Sequence, residues 1–153
     1  MTHTPVLTAH HISRRFTEGP LDVTVLQNVD LSVNAGETLA IVGSSGSGKS
    51  TLLSIMAGLD TPTSGRVELA GQSLFDMSED DRAAWRGQRL GFVFQNFQLM
   101  GHLTALENVM LPAELNGMKN AKDIAQAWLE RVGLAERFQH FPKTLSGGEQ
   151  QRV

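Results

Sequence analysis

The stretch Gly43-Ser44-Ser45-Gly46-Ser47-Gly48-Lys49-Ser50-Thr51 constrains this chain more than any other, because glycines at 43, 46 and 48 oppose a continuous helix or strand there. The same glycines permit φ values that turn successive backbone N–H groups toward one concave side, which makes a nest for an anion. Lys49 adds a point charge suited to the β- and γ-phosphates of a nucleotide, and the Ser50 hydroxyl is placed to ligate Mg²⁺. Before this loop, Thr38–Val42 is an apolar run of strand length; after it, Leu52–Ala57 reads as a buried helix. A helix that starts here points the positive end of its dipole at the same anion. Strand, loop and helix in that order favour a phosphate site over a flexible Gly/Ser linker.

The 153 residues suffice for one domain or part of a larger one, and 41% hydrophobic with 19% charged residues is globular composition. A net charge of −3 argues against a general nucleic-acid surface, so the expected anion is a nucleotide held locally. Cysteine is absent, which excludes a disulfide framework or thiolate metal site and suits a reducing compartment; cytoplasm is the expectation. Residues 1–16 carry three histidines and two arginines without an apolar leader core, and no run reaches the ~18 apolar residues of a membrane span. The chain is therefore expected neither to cross a membrane nor to be exported. His3, His10, His11, His102 and His140 show no metal-ligand spacing on an expected helix.

Polar and apolar residues alternate over Val6–Phe16 and Val23–Val33, with Glu18-Gly19-Pro20 between them, which reads as an antiparallel β piece. Phe16, at the end of its strand, is either a packing residue or a ring for stacking on a nucleobase. Asn34–Glu37 is a turn. Beyond the loop helix, Asp60–Gly65 is dense in turn residues and Arg66–Ala70 alternates as a short strand. Ser78, followed by Glu79-Asp80-Asp81, caps a short polar helix to about Gln88. Leu90–Phe94 reads as a buried strand, and Gln95 at its end is either a ligand contact or a loop residue. Thr104 and Glu107 form a capping box for a helix that Pro112 bends or interrupts. Ala121–Val132 is a further helix, with Ile124, Trp128 and Val132 expected in the core and Gly133 closing it. Ser146 and Glu149 repeat the capping-box spacing, so Leu145–Arg152 opens a helix that is either simply capped or a second anion-seeking end.

Taken in order, these segments resemble the nucleotide-binding subunit of ABC transporters, from about Val6 to the end of the chain. Gly43–Thr51 is similar to the Walker A motif, Gln95 after Phe92-Val93-Phe94 to the Q-loop glutamine, and Leu145–Gln151 to the ABC signature. Gly58-Leu59-Asp60, Gly91-Phe92-Val93-Phe94-Gln95, Leu103–Val109 and Leu145–Arg152 are similar to the lipoprotein-release and macrolide-export branch. The resemblance implies an α/β P-loop fold of ABC type, with an antiparallel β subdomain and P-loop core over 1–95 and a helical subdomain over 96–153. It implies ATP and Mg²⁺ as cofactors. Gly43, Ser44, Ser45, Gly46, Ser47, Gly48, Lys49, Ser50 and Thr51 would cradle the phosphates, and Phe16 would stack on adenine where the family usually has Tyr. Ser50 and Gln95 would hold the metal, and Lys49 and Gln95 would serve hydrolysis.

In a head-to-tail homodimer, Ser146, Gly147 and Gly148 would reach the γ-phosphate bound by the other subunit. The implied partners are membrane-embedded permease subunits, with the chain peripheral on the cytoplasmic face of the inner membrane. Glu149 departs from the commonest signature, which has Gln, but the branch also uses Glu. Family members continue past Arg152 with the Walker B aspartate, the catalytic glutamate, the D-loop and the switch histidine. None of these lies within the 153 residues. The expectation is thus an N-terminal portion of a longer protein that hydrolyses ATP poorly by itself. Rival readings are a permease-independent ABC ATPase, a P-loop kinase, which has no use for Leu145–Gln151, and a non-catalytic remnant.

Overall fold

The computed structural model of this chain describes residues 5–94 and 96–153, which fall into two compact units divided between Gly91 and Phe92. In the first unit, β1 (Pro5–Glu18) and β2 (Leu21–Asn34) form a long antiparallel pair. Gly19, at φ 58°, and Pro20 make the turn between them. β3 (Ser64–Leu69) pairs with the other side of β1, and β4 (Gln72–Ser73) extends the sheet in the order β2-β1-β3-β4. Between β2 and β3 runs α1 (Lys49–Met56), whose buried residues Leu52, Ile55 and Met56 follow the three-and-four spacing of one helix face. They meet Ile12, Leu26 and Val67 of the sheet in one core. α2 (Glu79–Gly87) has the expected Ser78 cap and acidic first turn but buries none of its residues. Trp85 attaches it to the sheet by donating from Nε1 to the Leu69 carbonyl at 3.3 Å.

Two expected strands are not strands. Thr38–Val42 and Leu90–Phe94 have no ladder partner among the described residues, and Val42 is 86% exposed. Apolar content alone does not make a strand: the N–H and C=O groups need a neighbouring chain to pair with. Ile41 and Leu90 nevertheless pack against the core of the first unit, and the Leu90 N–H donates to the Arg86 carbonyl at 2.9 Å.

In the second unit, α3 (Ala105–Leu115) and α4 (Ala121–Arg131) pack together, and α5 (Gly147–Arg152) closes the chain. Thr104 and Glu107 form the full capping box. Pro112 does not interrupt α3, which runs on to Leu115 with the proline inside it. The core of α4 differs from expectation: Ala121, Ala125 and Leu129 are buried, Ile124 and Val132 are only half-buried, and Trp128 is 52% exposed under the Arg131 guanidinium. A stripe one residue along brings small Ala125 against Leu106 of α3 and leaves the indole outside the core. α4 ends as expected at Gly133, φ 74°, whose N–H bonds the Glu130 carbonyl while Leu134 bonds that of Leu129. Gly58 closes α1 by the same paired bonds, to Ile55 and Ser54. Among the described residues no helix is long and apolar enough to cross a membrane.

Candidate functional site

The glycine loop hangs between the run ending at Val42 and the first turn of α1. Gly48, the N-cap of α1, sits at φ 83° and ψ 7°. A Cβ there would lie 2.9 Å from both Cγ1 and the carbonyl oxygen of Val25 and 3.0 Å from Cδ2 of Leu26. Adjacent residues of a regular strand point to opposite faces, so contact with both Val25 and Leu26 needs an explanation. The register supplies it. Arg14 pairs with Leu26 and Arg15 with Thr24, leaving Val25 as the extra residue of a β-bulge. The bulge aims two successive side chains at the helix end, and only glycine fits against them.

Gly46 uses glycine differently: its φ is +78° and a Cβ would meet nothing within 4 Å. Gly43 has an ordinary φ, and its Cβ would press on Ser47 Oγ at 2.7 Å. The Lys49 ammonium folds over the loop, donating to the carbonyls of Gly43 at 2.9 Å and Ser44 at 2.7 Å and to Ser47 Oγ at 3.3 Å. Loop and strand line a cleft of about 320 Å³ in which, among the described residues, Lys49 is the one charged lining residue. Half of the lining, Gly43, Ser44, Ser47, Gly48 and Lys49, offers backbone, hydroxyls and an ammonium suited to a polyphosphate, and the other half, Leu26, Val29, Ile41, Val42 and Leu52, is aliphatic. Ser50, in the first turn of α1, is exposed. Ser45 is exposed and Thr51 half-buried.

Phe16 lies in the same unit, opposite Val23 and so two residues along β2 from the bulged Val25. Its ring is 43% exposed. The Arg14 guanidinium stands over it at 4.5 Å from the centroid, because residues two apart on a strand share a face. Arg15 forms a two-pronged ion pair with Asp22, whose carboxyl the arginine hydrogen bond holds below its ordinary value.

In the second unit Ser146, Gly147 and Gly148 open α5. The Ser146 hydroxyl accepts from the Glu149 N–H at 3.3 Å and donates to Oε2 of Glu149 at 2.8 Å. Glu149, the departure from the usual signature, is also bound through Oε1 by Arg137 at 2.8 Å. The N–H and hydroxyl of Ser146, followed by Arg137, lower its pKa to about 2.

The structure thus brings Gly43 to Thr51 and Phe16 into one unit and the three signature residues into the other, while Gln95 lies outside the described residues. Sequence reasoning missed Arg14 and Arg137. Neither has a local motif, since each acts on a partner through space, although a cation two residues before a strand aromatic was a usable hint.

Comparison with known proteins supplies the context for this geometry. The family described as ABC transporter matches residues 26–153. The uncharacterized ABC transporter ATP-binding protein YbbA of Escherichia coli K12 is 51% identical over 150 residues, which are 97% of this chain and 66% of that protein. The lipoprotein-releasing system ATP-binding protein LolD of Shewanella frigidimarina is 50% identical over 154 residues, 99% of this chain and 64% of its own. Among solved structures, the dimeric ATP-binding cassette MJ0796 bound to ADP and Pi superposes with a TM-score of 0.84 at 38% identity, covering 95% of this chain and 66% of that one. The chain spans about two thirds of the length of these relatives.

Proposed function

This chain belongs to the ABC transporter family, and on that premise we propose that it is the nucleotide-binding portion of a transporter's ATP-binding subunit. The observation that carries the proposal is the glycine loop over α1, where Gly48 is pressed against the Val25 bulge and, among the described residues, Lys49 is the sole charge lining the cleft. Such a loop grips phosphates by backbone N–H groups that are already oriented, so binding costs little reorganisation. Lys49 would exchange the carbonyls of Gly43 and Ser44 for phosphate oxygens. Ser50 would hold Mg²⁺ together with Gln95, and the metal when bound would neutralise charge on the phosphates. Phe16 would stack on adenine.

Ser146, Gly147 and Gly148 would complete the site of a second copy, the two subunits lying head to tail and docked on permease subunits at the cytoplasmic face of the inner membrane. The solved relative that is dimeric with ADP and Pi supports the dimer, and likeness to LolD supports lipoprotein release as the process served. Hydrolysis to drive transport would belong to the whole protein. The division into a phosphate-binding portion, 1–95, and a signature-bearing portion, 96–153, follows the same proposal. The test is equilibrium binding of Mg·ATP to the chain and to Lys49→Ala: a loss of at least about tenfold in the variant is expected, and equal affinity would overturn the assignment.

A further inference from the structure

Arg14 has no part in the phosphate site, yet it is tied down more firmly than a strand-surface arginine needs to be. Nη2 lies 3.0 Å from Oδ1 of Asp60 and Nη1 donates to the Thr61 carbonyl at 2.5 Å, leaving the side chain 22% exposed. Asp60 and Thr61 follow directly on the glycine closure of α1 at Gly58. The same segment is fastened to β1 on either side of Arg14. The Thr63 N–H donates to the Ser13 carbonyl at 2.8 Å, and its hydroxyl oxygen accepts from the Arg15 N–H at 2.9 Å. The far end of the phosphate-loop helix is thereby linked to the strand that carries Phe16. Arg14 completes the link by covering one face of the Phe16 ring.

We propose that Arg14, held by Asp60, is a positioning residue for nucleobase recognition. It would fix the Phe16 ring and occupy its inner face, so that the base stacks on the outer face of an arginine–phenylalanine pair. This deepens the nucleotide-binding reading and rests on it. A guanidinium stacked on a ring removes the rotamer freedom that base stacking would otherwise have to freeze, and draws electron density from the face offered to a purine. The role differs from that of Lys49, because nothing in it touches phosphate. It also gives Asp60 of the Gly58-Leu59-Asp60 motif a task that helix termination does not require.

The experiment compares affinities for ATP and for inorganic tripolyphosphate, which lacks the base, in the intact chain and in Phe16→Ala, Arg14→Gln, Arg14→Lys and Asp60→Asn, each checked for folding by circular dichroism. Phe16→Ala is expected to weaken ATP about tenfold and Arg14→Gln about threefold, with tripolyphosphate unchanged in both. In the Phe16→Ala background, Arg14→Gln should have no further effect, and Arg14→Lys should keep part of the wild-type affinity. Should Arg14→Gln fail to fold, Asp60→Asn carries the comparison with the same expectation. Equal losses for ATP and tripolyphosphate, or no loss for ATP, would overturn the role of Arg14 while leaving nucleotide binding intact. Binding of neither ligand by the wild type would bring down the nucleotide reading and this inference with it.

Discussion

Arg137 and Glu149 are joined side chain to side chain, Nε to Oε1 at 2.8 Å, while Oε2 of the same carboxylate takes the N–H and the hydroxyl of Ser146, each at 2.8 Å. One acid thus holds together the start of α5 and the turn at Ala135–Arg137.

That arrangement makes the second unit acid-sensitive. Glu149 falls from an ordinary 4.5 to about 2, chiefly through the Ser146 N–H and hydroxyl and then through Arg137. A folded-state pKa below the unfolded one means that the unfolded chain binds more protons between those values. The stabilisation is therefore complete above about 4.5 and is lost as pH falls toward 2. Glu149→Gln should flatten the acid limb of a plot of thermal midpoint against pH, and Arg137→Gln should narrow it. An acid limb unchanged in Glu149→Gln would refute the assignment.

The three loop glycines should differ in their tolerance of alanine. At Gly48 the added Cβ meets Val25 backbone at 2.9 Å and φ is +83°, so a loss of about 3 kcal/mol is expected together with loss of Mg·ATP binding. Gly46→Ala carries only the left-handed penalty, about 1–2 kcal/mol. Gly43→Ala displaces a hydroxyl that can rotate, and its cost should stay below about 1 kcal/mol. Urea denaturation of the three variants checks the order, and equal losses for Gly48→Ala and Gly46→Ala would show that the backbone contact at Gly48 is unimportant.

On α4 the expectation separates neighbouring residues. Leu129 is 1% exposed and Trp128 is 52% exposed. Leu129→Ala should cost about 2–4 kcal/mol and Trp128→Ala less than about 1 kcal/mol. Reversed values from chemical denaturation would restore the Ile124-Trp128-Val132 face to the core.

Val93 stands fully in solvent, and its sequence neighbours Phe92 and Phe94 stack on each other. Val93→Lys should shift stability by no more than about 0.5 kcal/mol and reduce aggregation, since it interrupts an uncharged apolar run. Light scattering and a melt of the same sample decide it, and a fall of several degrees would show that the side chain is packed.

Features decided within a few residues could be read from the chain. The Thr104–Glu107 and Ser146–Glu149 boxes, the Ser78 cap and the Gly133 closure depend on hydrogen bonds that span one turn, and all four form. Thr38–Val42 and Leu90–Phe94 were misread because a strand depends on its neighbours, which local composition does not reveal. The bulge at Val25 was hidden for a related reason: it is a property of the register between two strands. At the candidate site, the loop was legible as a pattern, while the reason that Gly48 must be glycine lies on β2, more than twenty residues earlier in the chain.

The sheet order carries a consequence for the sequence of events in folding. β1 and β2 meet across a tight turn, so this pair can zip within microseconds of collapse. β3 must return to β1 across a far longer separation, Leu7 finding Leu69, and that closure is slow and entropically unfavourable until α1 docks. The phosphate loop lies wholly inside the stretch that this closure encircles. The expected order therefore puts the final shape of the loop after the β1–β2 pairing that sets the bulge beside Gly48.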